Sequence, residues 1–230
     1  MQLYVETAIA APMERVWRRT RDPAQHRRWD LRFSSISALD GDAGRAQRFA
    51  YATRLLPGVV ITGTGHTTAE RARADGIRTS ALRFASDHPL SPIARGGGHW
   101  RYTPRPGGID FATGYRYRPR WGRAGRAADA VIVGPLMDWA TAWSFDRLRL
   151  WCEEGTAPER LRGRALVNTG LRALLLAAAA TALPGWAVAA LAAAAVLLPV
   201  PRGVPAARRC RRRPAAPAPA PVRAGRGAVR

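Results

Sequence analysis

The chain has 230 residues with 37 basic and 16 acidic side chains, a formal net charge of +21, and every basic residue is arginine. Such a balance suits an anionic surface, either lipid headgroups or nucleic acid. Neither a recognised nucleic-acid fold nor aromatics stacked on a basic face is evident, so nucleic acid is set aside as a partner.

Composition changes near residue 155: before it stand 24 arginines and 15 acids, after it 13 arginines and one acid. Cys152 and Cys210 lie in different segments, so no disulfide framework or metal spacing follows, and reduced thiols agree with a cytoplasmic domain. The opening MQLYVETAIA carries an acid and lacks a basic start and an apolar run, so it does not read as an export signal.

In chain order, the alternation of QLYVETAIA puts Leu3, Val5 and Ile9 on one face and Gln2, Tyr4 and Glu6 on the other, the period of a half-buried strand. Pro12 suits the first turn of a helix, where its missing N–H is not needed, and Met13, Val16 and Trp17 give that helix an apolar stripe. Asp22-Pro23 reads as cap and first turn of a second short helix ending near Trp29-Asp30. Strand-like runs follow: RFSSISALD to Gly41-Asp42, RAQRFAYATRLL to Pro57-Gly58, VVITGTGHTTAE to Asp75-Gly76, and IRTSALRFASD to Pro89. GGHWRYTP and GIDFATGYRYRP then flank RPGG, a hairpin signal. From Arg126 the period turns helical, with Leu136, Trp139, Trp143 and Leu150 on one face, a kink expected at Pro135 and a stop at Gly155. The order predicts an α+β fold, a curved antiparallel sheet of about six to seven strands around a long terminal helix, with a cavity between sheet and helix.

Several of these residues resemble the START-like, helix-grip superfamily (SRPBCC, polyketide cyclase/dehydrase-like). The segment ETAIAAPMERVWRRTRDPAQHRRWD carries the likeness at Ala11-Pro12, Glu14, Val16-Trp17, Asp22 and Trp29. HWRYTP and PLMDWATAWSFDRLRLW resemble the late strand and closing helix of that superfamily, so the likeness covers roughly residues 1–155. It implies a pocket beneath the closing helix for lipids, sterols, polyketides or other apolar molecules. Carriers, sensors and cyclases share such a fold, so it does not choose among them.

Alternation nominates the inward positions. Phe111, Tyr115 and Tyr117 share a face with Ile109 and Thr113; Trp100 pairs with Tyr102, Phe49 with Tyr51, and Leu82 with Phe84. With Trp29, and with Leu136, Trp139 and Trp143 from the long helix, these are the expected ligand-binding residues, although aromatics at the same periods also fill ordinary cores. The four histidines, His26, His66, His88 and His99, read as structural or exposed, His99 facing away from Trp100. No nucleophile–base pair, metal triad or phosphate loop is present, so no catalytic residue, metal or cofactor is assigned.

Ala173 to Pro201 is a run of 29 uncharged residues, split by Pro184-Gly185. Each half reaches roughly 20 Å, short of the roughly 30 Å hydrocarbon core, so the run is read as one kinked span or as a re-entrant hairpin. Both flanks are basic, Arg160, Arg162, Arg164 and Arg172 before it and Arg202, Arg208, Arg209, Arg211, Arg212 and Arg213 after it, which favours the hairpin with both ends in the cytoplasm. Residues 156–172 read as a basic linker and 202–230 as a disordered tail whose arginines meet anionic lipid. The sequence thus points to a membrane-tethered binder or carrier of a hydrophobic molecule, with a polyketide-type cyclase/dehydratase and a membrane adaptor with a vestigial pocket as alternatives.

Overall fold

The opening alternation forms β1 (Gln2–Ile9), which buries Leu3, Val5, Thr7 and Ile9. The structure, a computed structural model, describes residues 2–39 and 47–213; the turn expected at Gly41-Asp42 and the tail residues 214–230 lie outside these. Helix α1 (Met13–Arg21) starts directly after Pro12 and buries Val16 and Thr20. Helix α2 (Pro23–Trp29) is capped by the Asp22 carboxylate, which accepts from the backbone N–H groups of Ala24 at 2.8 Å and Gln25 at 3.4 Å.

Six strands follow: β2 (Ser35–Leu39), β3 (Arg48–Leu56), β4 (Val59–Ala72), β5 (Arg78–Ala85), β6 (Ile93–Arg105) and β7 (Gly108–Pro119). They join β1 in one antiparallel sheet of seven strands, in the order β1-β7-β6-β5-β4-β3-β2. The RPGG signal closes β6 on β7, with Arg105 opposite Gly108 and Gly107 at φ 75°, a conformation glycine adopts without steric cost. At Gly108 a Cβ would lie 2.1 Å from the Ile9 carbonyl oxygen, so only glycine lets the β1 end approach this closely.

The terminal helical region is broken. Helix α3 (Gly122–Ala128) leads through a π-helical turn, Asp129–Val133, into α4 (Gly134–Glu154). Pro135 follows the π-helical turn directly, where the Gly134 N–H bonds the Asp129 carbonyl five residues back, so the helix is irregular near its start, where the kink was expected. Gly155 stops α4 at φ 71°. The middle of α4 packs over β1, and Phe145 stacks on Phe111 of β7 with ring centroids 4.6 Å apart.

The region beyond Gly155 differs from the sequence reading. The expected basic linker is helical, because α5 (Pro158–Ala182) begins at its start and buries Leu161. After a break at Leu183-Pro184, α6 (Gly185–Leu197) runs back along α5. Arg172 of α5 donates to the carbonyls of Ala195, Leu198 and Pro199, which places the end of α6 beside the middle of α5. The apolar arms are exposed, Trp186 at the tip being 77% exposed. By length and composition α5 could cross a membrane, and none of its apolar window is buried.

Residues 202–213, expected to be disordered, return to the domain. Val204, Ala206, Ala207 and Cys210 are buried, and Ala207 and Cys210 belong to the main core. Glu6 on the outer edge of β1 exchanges two backbone hydrogen bonds of 2.8 Å with Arg211. Asp146, whose side chain is fully enclosed in α4, accepts from the Ala206 N–H at 2.8 Å, Arg209 at 2.9 Å and Arg149 at 2.7 Å. This strap thereby pairs the backbone groups that Glu6 would otherwise leave open at the sheet edge. It brings the chain that follows the α5–α6 hairpin back to the domain from which the hairpin leaves.

Candidate ligand cavity

Four strand aromatics lie across glycines on neighbouring strands. The register sets Tyr51 opposite Gly63, Phe49 opposite Gly65, Phe84 opposite Gly96 and Tyr115 opposite Gly98. A Cβ on any of these glycines would fall 2.3 to 2.5 Å from the aromatic side chain beside it. The rings can therefore lie low on the concave face, where a side chain on the partner strand would push them upward. The result is a half-open cavity of about 150 Å³ between the sheet, α2 and the start of α4.

Of the expected ligand-binding residues, Phe49, Tyr51, Leu82, Phe84, Trp100 and Tyr115 line this cavity. Trp29, Tyr102, Phe111, Tyr117 and Trp143 do not; they are buried in the packed core. Tyr102 faces inward like Trp100, but its hydroxyl lies 2.7 Å from the buried Thr20 Oγ1 under α1. Tyr117 donates to the buried Asp129 at 2.7 Å and holds the π-helical turn in place. Trp29 donates its Nε1–H to the Arg19 carbonyl at 2.9 Å, tying α2 to α1.

Leu136 and Trp139 face away from the cavity, 56% and 43% exposed. The Trp139 ring stacks on Trp143 with centroids 6.4 Å apart. Met137, which the helical stripe did not single out, is the α4 residue that lines the cavity.

One wall is polar and was not read from the sequence. His26, Arg32 and Phe33 line the cavity from α2 and the loop after it. Behind them the fully enclosed Asp30 carboxylate accepts from Arg32 Nε at 2.9 Å and Nη2 at 2.6 Å, and lies 3.1 Å from His26 Nε2. Burial alone would raise the Asp30 carboxyl, but the Arg32 guanidinium, aided by His26, outweighs it and holds the acid well below its ordinary range. Arg32 Nη1 donates to the Tyr115 hydroxyl at 3.0 Å, which lies 3.1 Å from Thr141 on α4. The His26 ring is stacked on Trp29 at 4.8 Å and meets Trp100 edge-on at 5.1 Å. The only sequence signal for this wall is the i, i+4 spacing of His26 and Asp30, which is common on helices. Opposite it, burial pushes the Tyr51 hydroxyl up to about 12, so that ring stays neutral.

Of the remaining histidines, His66 is exposed, His99 is exposed overall but also borders the cavity, and His88 Nδ1 accepts from the Leu90 N–H at 3.2 Å in the β5–β6 loop. Four tail arginines have intramolecular partners. Arg208 donates to the Leu198 carbonyl at 2.9 Å, Arg209 binds Asp146, Arg211 lies 3.6 Å from Glu6, and Arg212 lies 3.3 Å from Asp138. Arg202 and Arg213 are exposed.

A family model described as polyketide cyclase/dehydrase and lipid transport matches residues 1–153. The uncharacterized membrane protein YndG of Bacillus subtilis (strain 168) is 41% identical over 166 residues, 72% of this chain; the chain spans 62% of that relative's length. Among solved structures, a STAR-related lipid transfer protein from Xanthomonas axonopodis is 19% identical with a TM-score of 0.50, over 64% of this chain and 83% of that one. The Zhui aromatase/cyclase from Streptomyces sp. R1128 is 16% identical with a TM-score of 0.45, over 65% of this chain and 96% of that one. At these identities the structural likeness concerns the fold.

Proposed function

The chain belongs to the polyketide cyclase/dehydrase and lipid-transport family, and from that premise we propose that it binds or carries a hydrophobic small molecule while tethered to a membrane by the α5–α6 hairpin. The observation that carries the reading is the cavity, floored by aromatic rings laid over glycines and bounded on one side by the Asp30–Arg32 pair. An apolar surface with a few placed polar groups is what an amphiphilic ligand requires. A void of about 150 Å³ holds a benzene-sized group, so a longer ligand extends through the open side.

The tether is supported by the exposed apolar arms, by the membrane description of the Bacillus relative, and by arginines at the hairpin base. The arm of α6 has 13 residues, about 20 Å, against roughly 30 Å of hydrocarbon. The hairpin therefore fits one leaflet, with the domain on the cytoplasmic face that basic flanks prefer.

The test is native mass spectrometry with lipid extraction on the full chain purified from membranes in mild detergent. A stoichiometric apolar molecule is expected. An empty protein that takes up nothing from a panel of lipids, isoprenoids and polyketides would exclude carriage. A cyclase reading has one observation in its favour, the His26 ring held by Asp30 beside the cavity. It predicts turnover of a poly-keto substrate that His26→Ala abolishes while binding persists.

A further inference from the structure

We propose that the Asp30–Arg32 wall makes the cavity selective for an apolar molecule bearing one uncharged oxygen acceptor, a carbonyl or hydroxyl, and against carboxylates and phosphates; this rests on the cavity being the ligand site.

The argument starts from charge. Among the described residues Arg32 is the one arginine lining the cavity, and an unbalanced guanidinium there would recruit an anion. Asp30 already takes that place. Its two oxygens receive Arg32 Nε and Nη2 in a bidentate pair, and Oδ1 also accepts the Arg32 backbone N–H at 3.1 Å. The Asp30 side chain is fully enclosed and that of Arg32 is 12% exposed, so water screens the pair little. A second anion at this guanidinium would be an excess charge in an apolar enclosure, with only a shared counter-ion.

The hydrogen-bonding capacity that remains on Arg32 is donor in character. A guanidinium has five N–H groups, and the bonds to Asp30 and Tyr115 use three. The Tyr115 oxygen accepts from Arg32, which directs its own proton to Thr141 Oγ1; the Thr141 hydroxyl in turn donates to the Met137 carbonyl at 2.7 Å. Tyr115 thus has no proton left for a ligand, and the two spare N–H groups of Arg32 remain. The Arg32 Cζ lies 5.4 and 5.7 Å from the ring centroids of Phe33 and Tyr115, so aromatic surface surrounds the guanidinium. The nearby Arg147 does not alter this balance at the cavity, because its Nε donates to the Pro158 carbonyl at 2.9 Å and its guanidinium lies over Trp143.

The experiment uses the full chain in detergent, freed of co-purified lipid, and a matched pair of probes: a long-chain methyl ketone and the fatty acid of equal chain length. At neutral pH the unmodified protein should bind the ketone at least about tenfold more tightly. Asp30→Asn keeps the shape and releases the guanidinium charge, and should reverse the order. The double variant Asp30→Asn/Arg32→Gln removes both charges together, so it should weaken the ketone and abolish the fatty-acid preference of Asp30→Asn. Should Asp30→Asn fail to fold, the unmodified protein and the double variant still decide. Tighter binding of the fatty acid by the unmodified protein, or unchanged ketone affinity in the double variant, overturns the selectivity while leaving the cavity as the site. Failure of both probes to bind, from a protein that also carries nothing out of the membrane, overturns the proposed function with it.

Discussion

The Asp146 carboxylate lies 2.9 Å from the Arg209 guanidinium, across 63 positions of chain that include the whole α5–α6 hairpin. The carboxylate also holds Arg149 and the Ala206 N–H, so it joins the strap to α4 at a fully enclosed point. Replacing it leaves the Ala206 N–H without its acceptor, while Arg149 keeps Glu153 and Arg209 keeps the carbonyls of Val200, Pro201 and Val204. Asp146→Ala should cost about 1 to 3 kcal/mol, the usual range for a buried group left unsatisfied. Chemical unfolding of the full chain in detergent reads this directly; a loss within measurement error would mean the strap does not support the domain.

Cys210 offers a second reading of the same contact. Burial, reinforced by the Asp146 charge, pushes its thiol up to about 12, and its Sγ lies 3.2 Å from the Ala142 carbonyl. Alkylation requires the thiolate, so in a Cys152→Ser background the protein should label very slowly at pH 8. Asp146→Ala should accelerate that labelling by at least tenfold in the still-folded protein. Fast labelling of the parent would mean that the strap opens freely.

The aromatic–glycine floor separates two kinds of glycine substitution. At Gly65 the three atoms nearest an added Cβ are ring atoms of Phe49, 2.4 to 3.0 Å away, and the ring can swing up into the cavity. Gly65→Ala should therefore reduce ligand occupancy at little cost in stability. At Gly98 the Cβ also meets the Gly114 carbonyl oxygen at 2.7 Å, which cannot yield, so Gly98→Ala should destabilise by about 1 to 3 kcal/mol. Equal effects of the two on melting temperature would refute this picture of the floor.

Charge placed in or outside the cavity should divide similarly. Phe84→Asp buries a carboxylate among rings and should abolish ligand uptake. Trp139→Asp lies on the outer surface and should leave uptake intact. Extraction of bound ligand from both variants gives the answer, and loss in Trp139→Asp alone would move the binding site to the exterior of α4.

Acid should release the polar wall. The Asp30 carboxyl sits below its ordinary value of 3.8 in the folded protein, so its stabilisation is fully present above that pH and is lost as pH falls through 3.8 toward the folded value. Melting temperature should drop more steeply between pH 5 and roughly pH 2 in the parent than in Asp30→Asn. Parallel curves would show that Asp30 has no such depressed acidity.

Much of the sheet was legible because period and punctuation agree: the β6–β7 hairpin closes at RPGG, and β4 ends just before the turn containing Asp75-Gly76. Parity also placed Trp100 and Tyr102 on one face, as found. Parity cannot say what stands above that face, and two residues along β6 separate a cavity wall from a residue locked under α1. The α4 stripe failed for a related reason. The strap packs along α4 and the sheet lies beneath it, so Ala140 to Leu148 are buried on every side of the helix, while Leu136 and Trp139 lie beyond that cover. Pocket residues His26 and Arg32 come from a short, basic, polar-looking stretch, and only the fold turns it toward the rings.

The strap also sets an order of events during synthesis. When Gly155 leaves the ribosome, Asp146 and the open edge of β1 still lack the partners that the chain supplies only at Ala206 to Arg211. Between the two comes the hairpin, whose exposed leucines and Trp186 favour early entry into lipid. Under the proposed tether, membrane insertion precedes the last step of folding, and the domain is completed in place at the bilayer surface.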